Sequence, residues 1–299
     1  DTLNRLAPGS RVAILRLRSL GDCVLSTPAI RLLQQARPDL DIAVVAEDRF
    51  AAIFDKTLPP SARALRAFAP HLCLNLHGGT RSARLTLLSG ARFRAGFDIF
   101  KPGWIYNTPV PTAQEVLGLT RRVHTAEHQA AAVFYLGVPV AEVPRASVPA
   151  APGRATEAPA NPYAVIHPLA ATPEKTWPAE SFLKLARHLS QHLKLEPVFI
   201  GGPDEDLAAF QLYRTISGAP LPDLARLLRD ASLFIGNDSG PAHVAAAFGT
   251  PQLILFGPSD EQIWHPWRTP HQILKSDPIR NISLDQANQA LRKLEKIPA

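Results

Sequence analysis

The sequence predicts an α/β protein made of two doubly wound domains. Short apolar runs rich in Val, Ile and Leu alternate with segments of helical periodicity. The runs are apolar on both faces, which is typical of parallel strands that are covered by helices on each side. The alternation occurs once on either side of a Pro- and Ala-rich stretch, so we expect two parallel sheets facing each other across a cleft.

Three strands are predicted in the first half of the chain and four in the second. Those of the first half are Val12 to Leu17, Ile42 to Ala46 and Leu72 to Leu76, and a helical pattern covers Ala29 to Ala36. Those of the second half are Tyr163 to His167, Pro197 to Gly201, Ser232 to Gly236 and Gln252 to Phe256. Ser283 and Gln286 form a capping-box pattern, which predicts a closing helix that reaches Leu294.

The segment from Pro139 to Pro162 indicates the domain boundary. It lacks a sustained apolar period, and we expect an exposed, semi-rigid linker. We assign residues 1–150 to an N-terminal domain and residues 151–299 to a C-terminal domain, and we expect the last helix to pack back on the first. Ligands of such sheets bind beyond the carboxyl ends of the strands, so the loops there are the first candidates for a site.

Composition limits the classes of function. The chain has 299 residues, 46% of them apolar, and it has no apolar run of bilayer-spanning length and no signal peptide at its start, so a soluble, cytoplasmic protein is expected. Cys23 and Cys73 form no close pair, which argues against a disulfide scaffold or a zinc site. The net charge of +6 favours acidic partners, but the cations are not interleaved with aromatic residues, and we expect no nucleic acid.

A polar turn with a glycine follows the strand at Ser232 to Gly236. This turn, Asn237 to His243 (NDSGPAH), leads into a helix of small residues. Free backbone N–H groups and the helix dipole favour an anion at such a helix start, and Gly240 lets a ligand approach the backbone. Pro241 suits a first helical turn. We predict a phosphate site here, and plain helix capping by the polar residues of the turn is the alternative.

Two other enzyme classes are disfavoured. The run Gly236 to Gly240 (GNDSG) is not the GxSxG pattern of a serine hydrolase, and no triad partner is placed. The first strand is not followed by GxGxxG, which argues against an NAD-dependent oxidoreductase.

The turn from Ser19 to Asp22 (SLGD) follows the first strand. An Asp at the carboxyl end of a strand can project into a cleft and accept a proton, and the alternative is that it satisfies backbone donors in the turn. Thr27 and Pro28 are predicted to begin the next helix. Cys23 is expected to be a packing residue.

Lys175 lies in the segment that leaves the strand ending at His167. A Lys there can stabilise a leaving group that gains negative charge, with Thr172 adding a hydroxyl, and a solvated surface Lys is the alternative. DxD patterns occur at residues 39–41 and 204–206, but the first is a polar turn and the second opens a predicted helix, where acids suit the dipole. No metal and no cofactor is therefore expected.

The run His77 to Arg84 (HGGTRSAR) follows the third strand of the first half. Arginine forks suit phosphate and carboxylate groups, so Arg81 and Arg84 are predicted to contact an acidic ligand. The alternative is that both are ordinary surface cations.

Together these motifs resemble glycosyltransferase family 9, the lipopolysaccharide heptosyltransferases. The matching runs are, in chain order, RLRSLGDCVLSTPAIRLLQQARPD, LHGGTRSARL, HPLAATPEKTWPAESF, NDSGPAHVAAAFGTPQLILFGPSDEQIWHPW and PIRNISLDQANQALRKL. The resemblance implies two Rossmann-like domains of the GT-B type. It also implies transfer of a heptose from ADP-heptose, with inversion, to an acidic inner-core sugar of a lipid acceptor.

The resemblance also implies residue roles. Asp22 is the expected general base, and Lys175 is expected to hold the departing diphosphate. The residues expected to bind the donor are Thr172, Glu205, Asp238, Ser239, Gly240, Pro241 and His243. Those expected to bind the acceptor are Ser19, Gly21, Arg81 and Arg84. The helix expected after Glu205 is about a turn shorter than the family's, and His124 and Glu127 match a similar pair in the family without an assigned role.

The lipid acceptor implies one more partner. The basic balance favours a loose association with the anionic cytoplasmic face of the inner membrane. Two alternative functions stay open, namely transfer from another nucleotide sugar to another glycan and a catalytically silent nucleotide-sugar binding protein.

Overall fold

A computed structural model describes residues 1–294 and confirms the predicted α/β fold with two doubly wound sheets. The chain divides into two compact units, of which the first spans Asp1–Ser147 and the second begins at Val148. Each unit contains one sheet of six described strands, all of them parallel. No helix in this part of the chain is long and apolar enough to cross a bilayer.

The first unit arranges its strands in the order β3-β2-β1-β4-β5-β6. These strands are β1 (Arg11–Leu15), β2 (Asp41–Val45), β3 (Thr57–Leu58), β4 (Leu72–Asn75), β5 (Phe93–Phe97) and β6 (Thr108–Val110). The helices are α1 (Leu20–Ala36), α2 (Ala62–Phe68), α3 (Gly79–Leu88), α4 (Ala113–Leu117) and α5 (Thr125–Leu136).

The second unit repeats this topology with the order β12-β11-β10-β7-β8-β9. Its strands are β7 (Tyr163–His167), β8 (Glu196–Gly201), β9 (Arg214–Ser217), β10 (Leu233–Asn237), β11 (Gln252–Phe256) and β12 (His271–Lys275). Its helices are α6 (Ala179–His188), α7 (Leu221–Arg229), α8 (Gly240–Phe248), α9 (Glu261–Trp264) and α10 (Leu284–Leu294).

Both sheets have a topological switch point between their first and fourth strands. In the first unit β1 lies beside β4, with Leu15 opposite Asn75. In the second unit β7 lies beside β10, with His167 opposite Gly236. The loops after these strands run to opposite sides, which opens a crevice for ligands at the carboxyl edge of each sheet.

The seven predicted strands are all present, and five further strands were not predicted. Four of the five, β3, β6, β9 and β12, lie at the edges of their sheets. Edge strands are covered on fewer sides, so they tolerate polar residues, as in the sequence RTIS of β9. The fifth, β5, contains Arg94 and Gly96 and lacks a continuous apolar run.

Helix α1 begins at Leu20, eight residues before the predicted first residue Pro28, and Asp22 lies in its first turn. Pro28 therefore lies inside the helix, where its missing N–H leaves the carbonyl of Val24 without the usual partner. The hydroxyl of Thr27 donates to that carbonyl at 2.7 Å, which compensates for the lost bond. The Thr-Pro pair that predicted a helix start therefore lies in the interior of α1.

Another local prediction is wrong. Between Glu205 and β9 there is only a 3-10 turn at Ala208–Phe210 and no α-helix, and Phe210 is buried in a stack on Phe199 with ring centroids 4.4 Å apart.

The segment from Pro139 to Pro162 contains no helix or strand, and most of its residues are exposed, as predicted. Its apolar side chains at Val143, Ala146, Val148 and Ala155 are buried, which anchors the segment.

Helix α10 carries the predicted capping box. Gln286 N–H donates to the Ser283 hydroxyl at 3.2 Å, and Ser283 N–H donates to the Gln286 side chain at 2.8 Å. The apolar face of the helix belongs to the core of the second unit and consists of Ala287, Ala290, Leu291 and Leu294. This face therefore packs within the second unit, and the expected packing of the last helix on the first unit stays a prediction.

We expect Leu291→Ala to lower the free energy of unfolding of the second unit. Leu291 is 2% exposed, and truncating a buried Leu removes apolar burial and leaves a cavity, which costs about 2 to 5 kcal/mol. The measurement is urea denaturation followed by circular dichroism. Arg292→Ala, at the exposed neighbouring position, is the matched control, and equal midpoints for the two variants would contradict the packing of α10.

Candidate functional site

Asp22 lies just beyond the carboxyl end of β1, and its side chain is 28% exposed. The Arg16 guanidinium forms an ion pair with Oδ1 of Asp22 and also donates from Nε to the Asp22 carbonyl at 3.2 Å. A third bond runs from Arg16 to the carbonyl of Leu76 at 2.7 Å. The Ser19 hydroxyl donates to Oδ2 of Asp22 at 3.0 Å. Both carboxylate oxygens are therefore oriented, while one side of the group still faces solvent.

Arg16 is a site residue that the sequence analysis missed. Its side chain is 5% exposed, and burial lowers the pKa of Arg16, with the Asp22 charge opposing that shift. A buried cation needs a paired anion, so Arg16 and Asp22 depend on each other. The available signal was an arginine placed directly after the apolar run Val12 to Leu15 and six residues before the Asp.

Two histidines, His77 and His128, lie close enough to Arg16 to feel its charge. Burial and the nearby charge of Arg16 lower the pKa of His77, which also hydrogen-bonds the backbone of Arg18. Burial, again with Arg16, lowers the pKa of His128 to about 4, and its ring stacks on Phe97 with centroids 4.0 Å apart. Both imidazoles are thus neutral at pH 7, and the nearby cation that neutralises Asp22 is Arg16.

The turn after β4 is organised by a buried asparagine. Asn75 is fully buried, and its side-chain oxygen accepts the N–H groups of His77 at 3.0 Å and Gly78 at 3.1 Å. Its amide nitrogen donates to the hydroxyls of Ser82 at 3.1 Å and Tyr106 at 2.9 Å. This amide therefore connects the turn to the helix that carries both predicted arginines.

The predicted acceptor residues occupy different environments. Arg81 on α3 is 60% exposed and pairs with Glu47 at 3.2 Å, while Arg84 is exposed one turn later. Gly21 is buried in the first turn of α1. The structure brings Ser19 to Asp22 but shows no hydrogen bond from either arginine to that carboxylate within residues 1–294. Burial raises the pKa of the Cys23 thiol to about 12, as expected for a packing residue.

In the second unit, His167 bridges two of the predicted donor residues. Its Nδ1 lies 2.8 Å from the Ser239 hydroxyl, and its Nε2 lies 3.2 Å from a carboxylate oxygen of Glu205. The same Glu205 oxygen accepts the Gly202 N–H at 2.7 Å. The hydrogen bond from His167 lowers the pKa of Glu205, so this carboxylate is ionised at neutral pH. His167 ends a predicted strand, but its role was not predicted.

The structure also brings Lys175 and Asp238 together. Nζ of Lys175 lies 3.5 Å from Oδ2 of Asp238, with the Lys side chain 34% exposed and the Asp side chain 11% exposed. Lys175 ends a short 3-10 turn that begins at Pro173. A cation and an acid thus share the carboxyl edge of β7 and β10.

Buried contacts fix the turn that carries Lys175. The side chain of Asn237 accepts the Trp177 N–H at 3.0 Å and donates to the Pro168 carbonyl at 2.9 Å. Trp177 is fully buried and donates its indole N–H to the carbonyl of Ile282 at 2.9 Å. A Cβ on Gly257 would lie 2.5 Å from the carbonyl of Glu174, so only glycine lets this turn approach β11 so closely.

The start of α8 has no side-chain cap. Ser239 occupies the N-cap position, but its hydroxyl bonds His167 and not a helix N–H, so capping by Ser239 is ruled out. Gly240 and Pro241 form the first turn, as predicted. His243 lies one turn further in and is 4% exposed, with its ring 6.4 Å from that of Trp264. An uncapped start on a nine-residue helix suits an anion.

Thr172 lies beside a separate cavity of about 420 Å³. Its carbonyl accepts the Thr176 hydroxyl at 2.9 Å. The cavity is lined by Ala170, Ala171, Thr172, Pro173, Thr176, Trp177, Pro178 and Ala179. Thr172 is thus positioned on the same turn as Lys175.

His124 and Glu127 have a structural explanation. Nδ1 of His124 accepts the Ala126 N–H at 3.1 Å, and Glu127 accepts the His124 N–H at 3.1 Å, so the pair forms a capping box for α5.

Within residues 1–294, no group of three or more His, Cys, Asp and Glu side chains is arranged to hold a metal ion.

We expect Asn237→Ala to destabilise the second unit by about 1 to 3 kcal/mol, because it leaves the Trp177 N–H and the Pro168 carbonyl buried without partners. The free energy of unfolding from denaturant titration measures this effect. Asn281→Ala, at an exposed position, serves as the control. Wild-type stability of Asn237→Ala would show that the Lys175 turn is held by other contacts.

The sequence of this chain is similar to those of several known proteins. The model of glycosyltransferase family 9 (heptosyltransferase) matches residues 61–293. Lipopolysaccharide heptosyltransferase 3 of Escherichia coli K12 is 36% identical over 115 residues, a segment that covers 35% of this chain and 33% of that relative. The matched segment thus spans about a third of the relative's length. Lipopolysaccharide heptosyltransferase 1 of Salmonella typhimurium is 25% identical over 290 residues and is covered to 89%.

Solved structures show the same fold. A glycosyltransferase family 9 protein from Veillonella parvula superimposes with a TM-score of 0.82 at 22% identity, covering 97% of this chain and 98% of that one. The E. coli ADP-heptose lipopolysaccharide heptosyltransferase II gives 0.78 at 18% identity, with 95% and 98% covered. Since the family model matches well over half of the sequence, this chain belongs to glycosyltransferase family 9.

Proposed function

We propose that this chain transfers a heptose from ADP-heptose, with inversion, to an inner-core sugar of a lipid-linked lipopolysaccharide acceptor. Family membership supports the class of reaction, and the relatives named above are lipopolysaccharide heptosyltransferases. An E. coli heptosyltransferase of the same fold has been solved with ADP and with a fluorinated ADP-heptose. The observation that carries the proposal is the Asp22 carboxylate, oriented by buried Arg16 yet 28% exposed at the carboxyl edge of β1.

Asp22 acts as the general base. It takes the proton of the acceptor hydroxyl as that oxygen attacks the anomeric carbon, and the bond from that carbon to the diphosphate oxygen breaks. Arg16 is a positioning residue, because it acts on the reaction through Asp22 and its buried side chain holds the carboxylate in one orientation. Ser19 holds the second carboxylate oxygen.

The second unit binds the donor. The diphosphate gains negative charge as it leaves, and Lys175 together with the uncapped start of α8 at Ser239 and Gly240 stabilises that charge. Asp238 is paired with Lys175 in this structure. When the donor phosphates take its place as the partner of Lys175, Asp238 accepts hydrogen bonds from sugar hydroxyls. Glu205, fixed by His167, contacts the nucleoside. This arrangement neutralises the leaving group through Lys175 and helix N–H groups, with no metal assigned to the step.

The acceptor side belongs to the first unit. Arg84 and Arg81 provide the cations for an acidic core sugar, with Arg81 exchanging its exposed pair with Glu47 for the ligand. We also propose that the chain works in the cytoplasm at the anionic inner leaflet, where the net charge of +6 favours contact. A panel of nucleotide sugars, assayed by thermal shift and by product release, separates ADP-heptose from other donors and turnover from silent binding.

We expect Asp22→Asn to lower kcat by about 100- to 10,000-fold with both substrates saturating, because the general base is lost. Donor affinity, measured by calorimetry, stays near the wild-type value because the donor contacts lie in the second unit. Asp41→Asn removes an acid from a surface ion pair with Lys56 at 2.6 Å and is the matched control. Wild-type turnover of Asp22→Asn would make the assignment of the base wrong.

We expect Lys175→Ala to lower kcat/KM by about 10- to 100-fold, since a charge-assisted bond contributes roughly 1.5 to 3 kcal/mol. Both donor affinity and kcat fall, because the charge on the diphosphate grows in the transition state. Lys184→Ala, on the exposed face of α6 and paired with Glu180 at 2.7 Å, is the control. Unchanged kinetics for Lys175→Ala would show that α8 alone binds the leaving group.

A further inference from the structure

The loop between β5 and β6 exposes two large apolar side chains. Ile99 is 60% exposed and Trp104 is 71% exposed. Among residues 1–294, only Val140 and Leu212 expose a large apolar side chain to this extent or more. Exposed apolar side chains that occur singly need no explanation, but two in one ten-residue loop form a local feature.

This exposure is a property of an anchored loop. Phe100 packs against the turn after β4 so closely that a Cβ on Gly78 would lie 2.9 Å from its ring. Ile105 and Tyr106 pack on Ala83 of α3. The neighbours of Ile99 and Trp104 thus face the protein, and these two side chains are left facing water.

The surface next to the loop adds cations. Arg84 is exposed on α3 and follows Ala83, on which Ile105 and Tyr106 pack. Lys101 is exposed between Ile99 and Trp104. Neither cation has an ion-pair partner within the described chain, and the loop contains one acid, Asp98. We call Ile99 and Trp104, with Lys101 and Arg84, the edge patch.

The edge patch lies at the carboxyl edge of the first sheet. Strand β5 is parallel to β4, which is parallel to β1, so the loop after β5 emerges at the same edge as Asp22. Phe100 connects it directly to the turn at Gly78, from which α3 and its two arginines begin. A surface that binds at the edge patch therefore lies next to the proposed acceptor side.

We propose that the edge patch inserts into the headgroup region of an anionic lipid bilayer. Trp and Ile suit the boundary between headgroups and acyl chains, where an indole keeps its N–H in a polar layer. Unpaired Lys and Arg next to them complement lipid phosphates, and each cation near such a surface contributes about 1 kcal/mol. The purpose of this contact rests on the proposed function, since it brings Asp22 to the membrane that holds a lipid-linked acceptor.

Vesicle binding tests the proposal without any turnover. The full chain is sedimented with large unilamellar vesicles of phosphatidylcholine alone or with 30 mol% phosphatidylglycerol, a composition we choose for its net negative charge. We expect binding to the anionic vesicles and weaker binding to the neutral ones. Ile99→Ser/Trp104→Ser should lower the partition coefficient about tenfold or more, and Arg84→Gln/Lys101→Gln should remove most of the preference for anionic lipid.

The matched control is Val140→Ser/Leu212→Ser, which removes equally exposed apolar side chains outside the edge patch and should bind like the wild type. Equal partition of wild-type chain and Ile99→Ser/Trp104→Ser would overturn the proposal. So would concentration-dependent dimerisation that depends on Trp104 with no difference in vesicle binding, because the patch would then be a contact between copies.

Activity assays separate this proposal from the proposed function. With a lipid-embedded acceptor, Ile99→Ser/Trp104→Ser should raise the apparent KM, while transfer to a delipidated, soluble acceptor stays unchanged. A chain that binds anionic vesicles through the patch but shows no transfer would contradict the proposed function and leave the lipid surface standing. If the chain transfers the sugar but its vesicle binding does not depend on the edge patch, the membrane proposal is contradicted and the proposed function stands.

Discussion

Two buried side-chain amides determine the shape of both candidate sites. Asn75 and Asn237 end the fourth strand of their respective sheets, and both are fully buried. At this point the chain leaves the hydrogen-bonded ladder, and the backbone groups of neighbouring loops need partners that water cannot supply. An asparagine provides a donor and an acceptor without charge, so it can satisfy such groups at low desolvation cost.

Each of the two amides holds the backbone of a loop through hydrogen bonds. In the first unit, Asn75 shapes the turn at His77 and Gly78, against which Phe100 packs. The position of the edge patch therefore depends on the same amide as the start of α3. In the second unit, Asn237 holds the segment that carries Lys175. Each unit thus positions its functional loops from the strand at the switch point, where the topology already opens a crevice.

Local patterns in the sequence predict the core strands well and the long-range contacts poorly. The run from Tyr163 to His167 is a strand at the predicted bounds, because a short run of residues that are apolar on both faces is typical of a covered parallel strand. The start of α1 was placed at Thr27 because Thr and Pro are typical of a helix start. The same two residues also suit a helix interior in which the Thr27 hydroxyl donates to the Val24 carbonyl, and only the structure shows that contact.

The site shows the same division. Asp22, Lys175 and the start of α8 were predicted because their chemistry is visible within one motif. The contacts that hold them join residues far apart in sequence, such as His167 to Ser239, Trp177 to Asn237 and Arg16 to Leu76. Whether a Lys is a surface residue or an ion-pair partner likewise depends on which loop the fold brings next to it.

The two ion pairs of the candidate sites differ in a way that suits different tasks. Arg16 is 5% exposed, and breaking a buried pair leaves a desolvated charge, at a cost of about 3 to 5 kcal/mol. A carboxylate held this way keeps one orientation, which a general base requires. Lys175 is 34% exposed and lies 3.5 Å from Asp238, whose side chain is 11% exposed. In this second pair the cation is the partner that reaches solvent, so under the proposed function Lys175 can exchange Asp238 for a phosphate, whereas the buried Arg16 stays with Asp22.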